Sequence, residues 1–459
     1  MNICVINGSP KGKYSITLQT AYYLEKKFTK HNYYILNAGQ KIKLYEKDMS
    51  EALSAMTKAD LLIFTYPVYT FLVPSQLHRF VELMKDSGVD FSGKYATQIS
   101  TSKHFFDMTA HRFMEDNLHD MGIHVIHGLS ADMEDLLSKK GQADAISFMK
   151  YVEYCIENGI YEPEYDVKIS HQSNPENSDI EVYKKVFSKV ERKSGHEVVI
   201  VTDLKENDLQ KDQELRNLSL RNMIDDFCSL FPYQTRLVNI AEYPLMGGCL
   251  GCFHCASDGK CIYKDGFDQF LREKIQTADA IVYAFSIQDH SMGSRFKMYD
   301  DRQFCNGHRT VTEGMPFGYL VYGDYQNEAN LQTVIEARCE VGHNFLAGVG
   351  YNAETLKAMS ERLTYAIENR FVLPRNFYGV GGTKIFRDLI WEMQGLMKAD
   401  HVYYKKHGVY DFPQKKRSTI LKMKLVGALI RNPKIKAKMG NKMNEGMIAP
   451  YKKVIDETL

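Results

Sequence analysis

Short apolar segments alternate with helical patterns from the first residue of this 459-residue chain. The first half contains five predicted strands, at residues 3–7, 33–36, 61–65, 97–100 and 124–126. Helical stretches lie between them, including residues 74–85 and 108–121. Parallel strands need long crossover connections of this kind. The alternation therefore predicts an α/β fold in which helices cover both faces of a five-stranded parallel sheet, forming a three-layer sandwich.

The second half repeats the same plan. Its predicted strands lie at residues 197–202, 236–240, 280–285, 317–322 and 345–349. The halves align without a gap across the third strand and the following helix, with residues 59–64 (ADLLIF) over 278–283 (ADAIVY) and Phe80 over Tyr299. The shared strand order and this alignment predict an internal duplication, with two copies of one fold fused in tandem.

The predicted organisation has four parts, which are a first sandwich (1–165), a linker (166–194), a second sandwich (195–375) and a basic helical extension (376–459). Polar residues and a proline at 170–178 indicate the linker. Residues 376–383 (NFYGVGGT) are predicted to form a Gly-rich turn that leads into a helix through Trp391. From 398 to 459 there are 15 Lys/Arg against 5 Asp/Glu. Such a segment could contact acidic lipid, RNA or an acidic partner, or could be a solvated helix packed on the body.

The overall composition is typical of a globular protein and does not favour a nucleic-acid-binding or membrane-spanning one. Hydrophobic residues at 44% and charged residues at 25% are ordinary for a globular chain, and a net charge of +1 gives no whole-chain attraction to nucleic acid. The longest apolar runs are far shorter than the ~20 residues that span a bilayer. Residues 1–6 favour a first strand over a signal peptide. We therefore expect a cytoplasmic protein, in which nine cysteines stay reduced and serve metal or redox chemistry.

The loop after the first strand is the strongest motif of the first half. Residues 7–17 (NGSPKGKYSIT) join a strand to a helix, where unpaired amides and the helix dipole favour a phosphate. Two glycines permit tight turns, three hydroxyl side chains offer donors, and Lys11 adds a positive charge. Doubly wound sheets bind ligands at this edge, so the sequence predicts a phosphate-binding loop.

This loop resembles that of the NADPH-dependent FMN reductase family, in which Gly-Ser-Pro-Arg is followed by Ser-Asn-Thr. Lys11 stands where the family has Arg, so the charge is kept, and Ile16 stands where it has Asn. The Pro-Val-Tyr turn after the third strand is similar to the family's second flavin loop, and topology alone suggests residues 100–102 as the third. The resemblance implies a flavodoxin-like fold, FMN as cofactor and NAD(P)H as electron donor. The residues that the resemblance implies for FMN are Ser9, Pro10, Lys11, Ser15, Thr17, Leu18, Pro67, Val68 and Tyr69, and the topology adds Ser100, Thr101 and Ser102.

The second half carries a compact cysteine array, C-x2-C-x2-C-x5-C, at Cys249, Cys252, Cys255 and Cys261. Four thiolates this close can hold one metal centre, and their spacing favours an iron–sulfur cluster over structural zinc. A third interpretation of the array is four reduced thiols that bind no metal. The other cysteines, Cys4, Cys155, Cys228, Cys305 and Cys339, are predicted to be buried packing residues.

The array resembles that of iron–sulfur flavoproteins, which bind FMN and a [4Fe-4S] cluster through four cysteines after the second strand. Asp265 and Phe267 are similar to that family's helix start after the last cysteine, and Asp301-Arg302 matches its Asp-Arg helix end, where the first half has Glu82-Leu83. Together the two resemblances cover residues 1–375. They imply the four cysteines as ligands of a [4Fe-4S] cluster.

The features of the two families are divided between the halves. The first half has no cysteine array, since only residues 37–40 (NAGQ) follow its second strand. The first loop of the second half, residues 202–208 (TDLKEND), has three acidic residues that would repel a phosphate, and Ser286 and Gln288 align with Pro67 and Tyr69. We therefore expect one flavin site, on the first half, and one cluster, on the second.

The expected activity is that of an NAD(P)H-dependent oxidoreductase. A nicotinamide or a ferredoxin-like protein would supply electrons to an acceptor that the sequence does not identify. One alternative is a flavin-only NAD(P)H:quinone or FMN reductase with structural cysteines. Another is a non-catalytic flavin- or metal-binding partner of a larger redox complex. No nucleic-acid partner is expected, and homo-oligomerisation is left open.

Overall fold

The computed structural model describes residues 1–163, 182–204 and 211–435. The first half consists of β1 (Asn2–Asn7), α1 (Ile16–Lys27), β2 (Asn32–Leu36), α2 (Ile42–Tyr45), α3 (Ser50–Lys58), β3 (Leu61–Pro67), α4 (Ser75–Asp86), β4 (Tyr95–Ser102), α5 (Asp107–Asp120), β5 (His124–Val125), β6 (Leu129–Asp132) and α6 (Lys139–Asn158). The second half consists of β7 (Glu197–Thr202), α7 (Lys211–Leu230), β8 (Gln234–Asn239), α8 (Phe267–Phe270), β9 (Ala280–Ser286), α9 (Gly293–Arg302), β10 (Phe317–Tyr322), α10 (Ala329–Gly342), β11 (Leu346–Gly350) and α11 (Ala353–Asn369). Helices α12 (Phe377–Glu392), α13 (Lys398–Lys406) and α14 (Arg417–Ile430) follow.

Both halves contain a parallel sheet with the same strand order. The first sheet runs β2-β1-β3-β4-β5 and the second runs β8-β7-β9-β10-β11, so each has the order 2-1-3-4-5 of a flavodoxin-like sandwich. All pairings along both sheets are parallel. The predicted fold class is confirmed for both halves, and every predicted strand is present.

The first sheet has six strands instead of the predicted five, because its edge strand is interrupted. β5 pairs with the start of β4 and β6 pairs with its end. Gly128 lies in the gap, where a Cβ would be 2.4 Å from the side chain of Gln98. The chain bends at Gly128 to make room for the Gln98 side chain, and hydrogen bonding to β4 resumes at β6. The sequence analysis missed β6 for that reason.

One cluster of buried hydrophobic residues extends across both halves, and each half has a further cluster of its own. Phe80 and Phe113 of the first half belong to the same buried cluster as Phe267 and Tyr299 of the second. Helices α4 and α9, which the sequence alignment superposes, pack against each other. The halves therefore meet through equivalent surfaces.

The contacts across this interface are reciprocal. The alignment that places Ala59 on Ala278 also places Ser75 on Ser294 and Glu82 on Asp301. The Ser75 amide donates to Asp301 Oδ2 (2.8 Å), and the Ser294 amide donates to Glu82 Oε1 (2.6 Å). Each helix thus has an N-terminal amide capped by a carboxylate of the other half, which satisfies a donor that has no partner within its own helix.

The turns before these helices also correspond. Thr70 and Phe71 have positive φ angles of 40° and 72°, and the aligned Asp289 and His290 have φ angles of 51° and 61°. Non-glycine residues rarely adopt this backbone conformation. Its occurrence at two aligned pairs is a structural repeat that the sequence identities alone do not reveal.

The Gly-rich segment at 376–383 is helical, which corrects the predicted turn. Asn376 caps α12 by accepting from the Tyr378 amide (2.9 Å). A Cβ at Gly379 would be 2.6 Å from the Glu340 carbonyl oxygen on α10, and one at Gly382 would be 2.7 Å from the Val341 side chain. The glycines therefore allow close packing of two helices.

The chain forms two compact units, Met1–His401 and Val402–Leu459. Residues 376–401 of the predicted extension belong to the first unit. Of the predicted linker, residues 166–181 lie outside the described part of the chain. Its described end packs on α7, where Asp226 accepts from the amides of Val186 (2.9 Å) and Phe187 (3.1 Å). Across the described ranges, no helix combines the length and apolar character needed to cross a membrane.

Candidate functional site

The predicted phosphate loop lies at the carboxyl end of β1. Gly12 has a φ angle of +55°, a conformation that favours glycine, and its carbonyl accepts from Asn7 Nδ2 (2.9 Å). Ser15 is the N-cap of α1, and its hydroxyl accepts from the Leu18 amide (3.4 Å). The amides of Ile16 and Thr17 have no acceptor within the helix, as at any helix start. The loop therefore presents free donors at the positive end of a helix dipole.

The segment after β2, to which the sequence analysis gave no role, shapes this loop. The Gly39 amide donates to the Asn7 carbonyl (3.0 Å), and a Cβ at Gly39 would be 2.2 Å from the Gly8 carbonyl oxygen. The Gln40 side chain lies against Gly12, 2.1 Å from where a Cβ would stand. Glycine at both contact positions was the signal that could have revealed this support.

Buried hydroxyls near the loop favour a polar ligand. Thr65 on β3 and Ser102 at the end of β4 have buried hydroxyl oxygens, and neither has a hydrogen-bond partner among the described residues. Thr65 pairs with Asn7 in the β1–β3 register, beside the loop. Buried hydroxyls are normally satisfied. Together with the free amides, they could satisfy the phosphate and the polar chain of a ligand such as FMN.

The structure brings the three predicted flavin loops to one edge of the sheet. The Val68 amide donates to the Thr101 carbonyl (3.2 Å), and Thr17 and Thr101 join their hydroxyls at 2.5 Å. Ser100 is held by His111 Nε2 (2.7 Å), and burial lowers the pKa of that imidazole to about 4. Of the other residues predicted for FMN, Ser9, Pro10 and Leu18 are buried. Pro67 and Ser102 are half-buried.

The cysteine segment of the second half, residues 246–261, docks directly onto this edge. Gln76 Nε2 donates to the Cys249 carbonyl (3.2 Å), and Lys43 Nζ donates to the Met246 carbonyl (2.8 Å). Gly251 has a φ angle of +60°, and a Cβ atom at this position would lie only 1.8 Å from Tyr69 Oη. Glycine is required because any side chain would displace the tyrosine.

Two residues predicted for the flavin contact the cysteine segment. Lys11 Nζ lies 5.2 Å above the ring of Phe253. Burial lowers the pKa of the Lys11 ammonium, and the nearby Cys249 and Cys252 thiols oppose that shift. The Tyr69 ring packs edge-on against Phe304 (centroids 5.6 Å apart). Burial and the neighbouring Cys249 and Asp301 charges raise the pKa of Tyr69 well above its usual value. The predicted flavin and cysteine sites therefore form one continuous region.

The four thiols share one electrostatic neighbourhood. Burial raises the pKa of Cys249, and nearby Cys255 and Cys252 raise it further. Burial, followed by Cys261 and Cys252, raises the pKa of Cys255 to about 11. The Gly251 amide donates to Cys249 Sγ (3.4 Å). Removal of several protons here is costly unless a cation compensates the charge.

The donor chemistry fits a thiolate-ligated centre, but the ligand geometry is not assembled. Within the described ranges, no group of three or more His, Cys, Asp or Glu side chains is arranged to hold a metal ion. Cys252 is exposed, whereas the other three cysteines of the array are half-buried. Cys305 is buried as predicted, and burial raises the pKa of its thiol to about 12, with smaller raising contributions from nearby Cys255 and Cys261. Its separation in sequence from the array gave no indication of that proximity.

A buried ion pair anchors the start of the cysteine segment. Arg302 donates to both carboxylate oxygens of Asp265 (2.8 and 2.9 Å) and to the Gly247 carbonyl (2.9 Å). Asp265 also accepts from the Met246 amide (3.1 Å). A bidentate pair of this kind fixes both position and angle. The two features singled out by resemblance are thus brought together, where they orient the backbone before Cys249.

Only the beginning of the aligned loop in the second half is described. Asp203 and Leu204 follow β7, and residues 205–208 of the predicted acidic loop lie outside the described part of the chain. Ser286 and Gln288 occupy the positions of Pro67 and Tyr69 after β9. The carbonyl and amide of Gln288 pair with Ser291, as those of Tyr69 pair with Leu72. The turn is conserved in shape, whereas its side chains differ.

Residues 1–145 match the family described as NADPH-dependent FMN reductase. This match confirms the resemblance for the first half and supports an oxidoreductase. It does not extend to the cysteine array. No curated protein matches the chain.

Several solved structures are similar to about a third of the chain. They include the apo form of the NADH:FMN oxidoreductase EMOB (20% identity, 35% of this chain, 91% of that chain, TM-score 0.29). They also include an NAD(P)H:quinone oxidoreductase from Methanothermobacter marburgensis (12% identity, 36% and 98% coverage, TM-score 0.27). A third is an FMN-dependent NADH-azoreductase from Bacillus anthracis str. Ames Ancestor in complex with FMN (14% identity, 34% and 98% coverage, TM-score 0.27).

Proposed function

We propose that this protein is an NAD(P)H-dependent flavoprotein oxidoreductase in which FMN binds the first half and a [4Fe-4S] cluster binds the cysteines of the second. The halves are tandem copies of one sandwich, and each has kept one of the two sites. The family match over residues 1–145 supports the flavin part. The cysteine spacing and its resemblance to iron–sulfur flavoproteins support the cluster.

The observation that carries the proposal is the docking of the cysteine segment onto the flavin edge. Gly251 fits against Tyr69, and Gln76 holds the Cys249 carbonyl. Cysteines with a purely structural role would have no need to lie beside a flavin loop. Electron transfer between two carriers requires such closeness, so these contacts support a pair of neighbouring carriers.

The roles of individual residues follow from the geometry. The amides of Ile16 and Thr17 and the hydroxyl of Ser15 would hold the FMN phosphate. The four cysteines would be cluster ligands, and the Gly251 amide would donate to the Cys249 sulfur as it does in this structure. FMN supplies hydride and single-electron chemistry, and a cluster supplies single-electron transfer. The chain itself would bind and orient both.

The test is anaerobic quantification of iron, sulfide and FMN per chain. Cys252→Ser should abolish bound iron and sulfide and leave FMN unchanged, because Cys252 lies outside the phosphate loop. Ser15→Ala should lower FMN affinity and leave iron unchanged. Cys228→Ser, a half-buried cysteine on α7, is the matched control and should change neither.

The outcomes separate the alternatives. Iron without sulfide indicates a single-metal site and refutes the cluster. FMN with neither iron nor sulfide in anaerobically reconstituted protein indicates a flavin-only reductase with structural cysteines. Failure of bound FMN to be reduced by NADH or NADPH indicates that the protein acts as a partner of another redox enzyme.

A further inference from the structure

Helix α14 is unusual because it buries no face. From Arg417 to Leu429 every residue is exposed except Val426, which is half-buried. Its large apolar side chains are 40–60% exposed, and they are Ile420, Leu421, Met423, Leu425 and Leu429. An isolated helix of 14 residues is marginal in water, and most helices in proteins are stabilised by a buried apolar face. Among the described residues, this helix therefore exposes apolar side chains that a further surface could cover.

The charge around the helix indicates the chemistry of that surface. Residues 412–435 contain seven Lys/Arg and no Asp/Glu. Lys422 and Lys424 lie within the helix, between the exposed leucines, and Lys416 and Arg431 flank its ends. The segment therefore offers apolar and cationic groups on the same short element.

The combination of apolar and cationic side chains on α14 indicates which kind of partner could bind it. A nucleic acid would engage the cations, but it would leave the leucines in water, because its contacts are dominated by phosphate. An acidic protein would need a matching apolar groove as well as charge. An anionic lipid surface satisfies both requirements, since headgroups attract Lys and Arg while the acyl boundary accepts apolar side chains.

We propose that α14, with its flanking cations, is an interfacial segment that binds anionic lipid surfaces. At 14 residues it is about 21 Å long, too short to span a bilayer, so it lies in the plane of the interface. Leu421, Leu425 and Leu429 enter the acyl boundary, and the lysines contact the headgroups. The oxidoreductase is thereby brought to a membrane without a spanning helix.

The test is co-sedimentation of the full-length protein with vesicles. Vesicles of phosphatidylcholine mixed with phosphatidylglycerol should capture the protein at low salt, and phosphatidylcholine alone should not. Replacing Lys422 and Lys424 by Gln should weaken capture about 30-fold, because each cation near an anionic surface contributes about a factor of five. Leu421→Glu combined with Leu425→Glu should abolish capture at every salt concentration.

Matched controls come from the first unit. Leu137 is 83% exposed and the Lys140 side chain is 90% exposed, so Leu137→Glu and Lys140→Gln change similar groups elsewhere and should leave capture unchanged. Equal capture by neutral vesicles would overturn the proposal. So would full capture of the leucine variant, or binding of polyuridylate or polyglutamate as tight as that of the mixed vesicles. Far-UV circular dichroism of each variant verifies that the sandwiches remain folded.

Discussion

Removal of Asp301 should destabilise the protein more than removal of its counterpart Glu82. Asp301 is completely buried, and it accepts from the Ser75 amide (2.8 Å) and the Thr70 hydroxyl (2.8 Å) and pairs with Lys297. The side chain of Lys297 is also completely buried. Asp301→Ala therefore leaves a buried ammonium without a counter-charge, which typically costs about 3–5 kcal/mol.

Glu82 has different partners. It accepts from the Ser294 amide (2.6 Å) and hydroxyl (2.7 Å), and it pairs with Arg79, whose side chain is one-third exposed. After Glu82→Ala, water can hydrate Arg79, so the main loss is the cap of α9. We expect a cost of about 1–3 kcal/mol, typical of buried hydrogen bonds to a charged group.

Urea unfolding followed by circular dichroism measures both costs. Asp86→Ala, at the exposed end of α4, is the control and should change the free energy of unfolding by no more than about 0.5 kcal/mol. The double variant Lys297→Met with Asp301→Leu should be more stable than Asp301→Ala, because no unpaired charge remains buried. The reasoning fails if Glu82→Ala costs as much as Asp301→Ala, or if the double variant recovers nothing.

Two further predictions concern the site and the core. Gly251→Ala should displace the cysteine segment and lower bound iron per chain, because the new methyl group meets Tyr69; Gly195→Ala, also at positive φ but with open space around it, should leave iron content unchanged. Burial raises the pKa of Glu115 to about 7, so this group favours the folded state most below pH 4.5 and loses that contribution as pH rises through 7. Glu115→Gln should therefore raise thermal stability at pH 8, by up to about 3 kcal/mol, and change little at pH 4, whereas exposed Glu157→Gln should change little at either pH.

The strand order was predictable from the sequence because it rests on local periodicity. Apolar segments of three to six residues between helical patterns identified all ten major strands, and the parallel pairing followed from the crossover lengths. The interrupted edge at Gly128 was not predictable, because it depends on the side chain of Gln98 on a neighbouring strand. The Gly-rich helix α12 was missed because its glycines serve a contact with α10, which composition does not encode.

The sequence supplied candidate residues for the site, but it did not indicate how they come together. Motif spacing indicated the phosphate loop and the cysteine array separately, and no local pattern indicated that Gly251 would lie on Tyr69. Glu82-Leu83 had been considered a departure from the Asp-Arg pattern of the second half. In the structure Glu82 caps α9 as Asp301 caps α4, so a different side chain performs the same task. Such equivalences depend on tertiary contacts between residues far apart in sequence.

The two halves form a buried interface that two identical subunits could not form. A symmetric dimer has the same residue at both related positions. Here the alignment relates His78 to Lys297, and both are fully buried. Lys297 pairs with Asp301, whereas burial lowers the pKa of His78 to about 3, so its ring is neutral and leaves no second charge at the interface. A second buried lysine at position 78 would add a charge opposite Glu82, whose oxygens already accept from Ser294 and Arg79. The halves also differ in their loops, since the predicted phosphate loop lies in the first half and the four-cysteine array lies in the second.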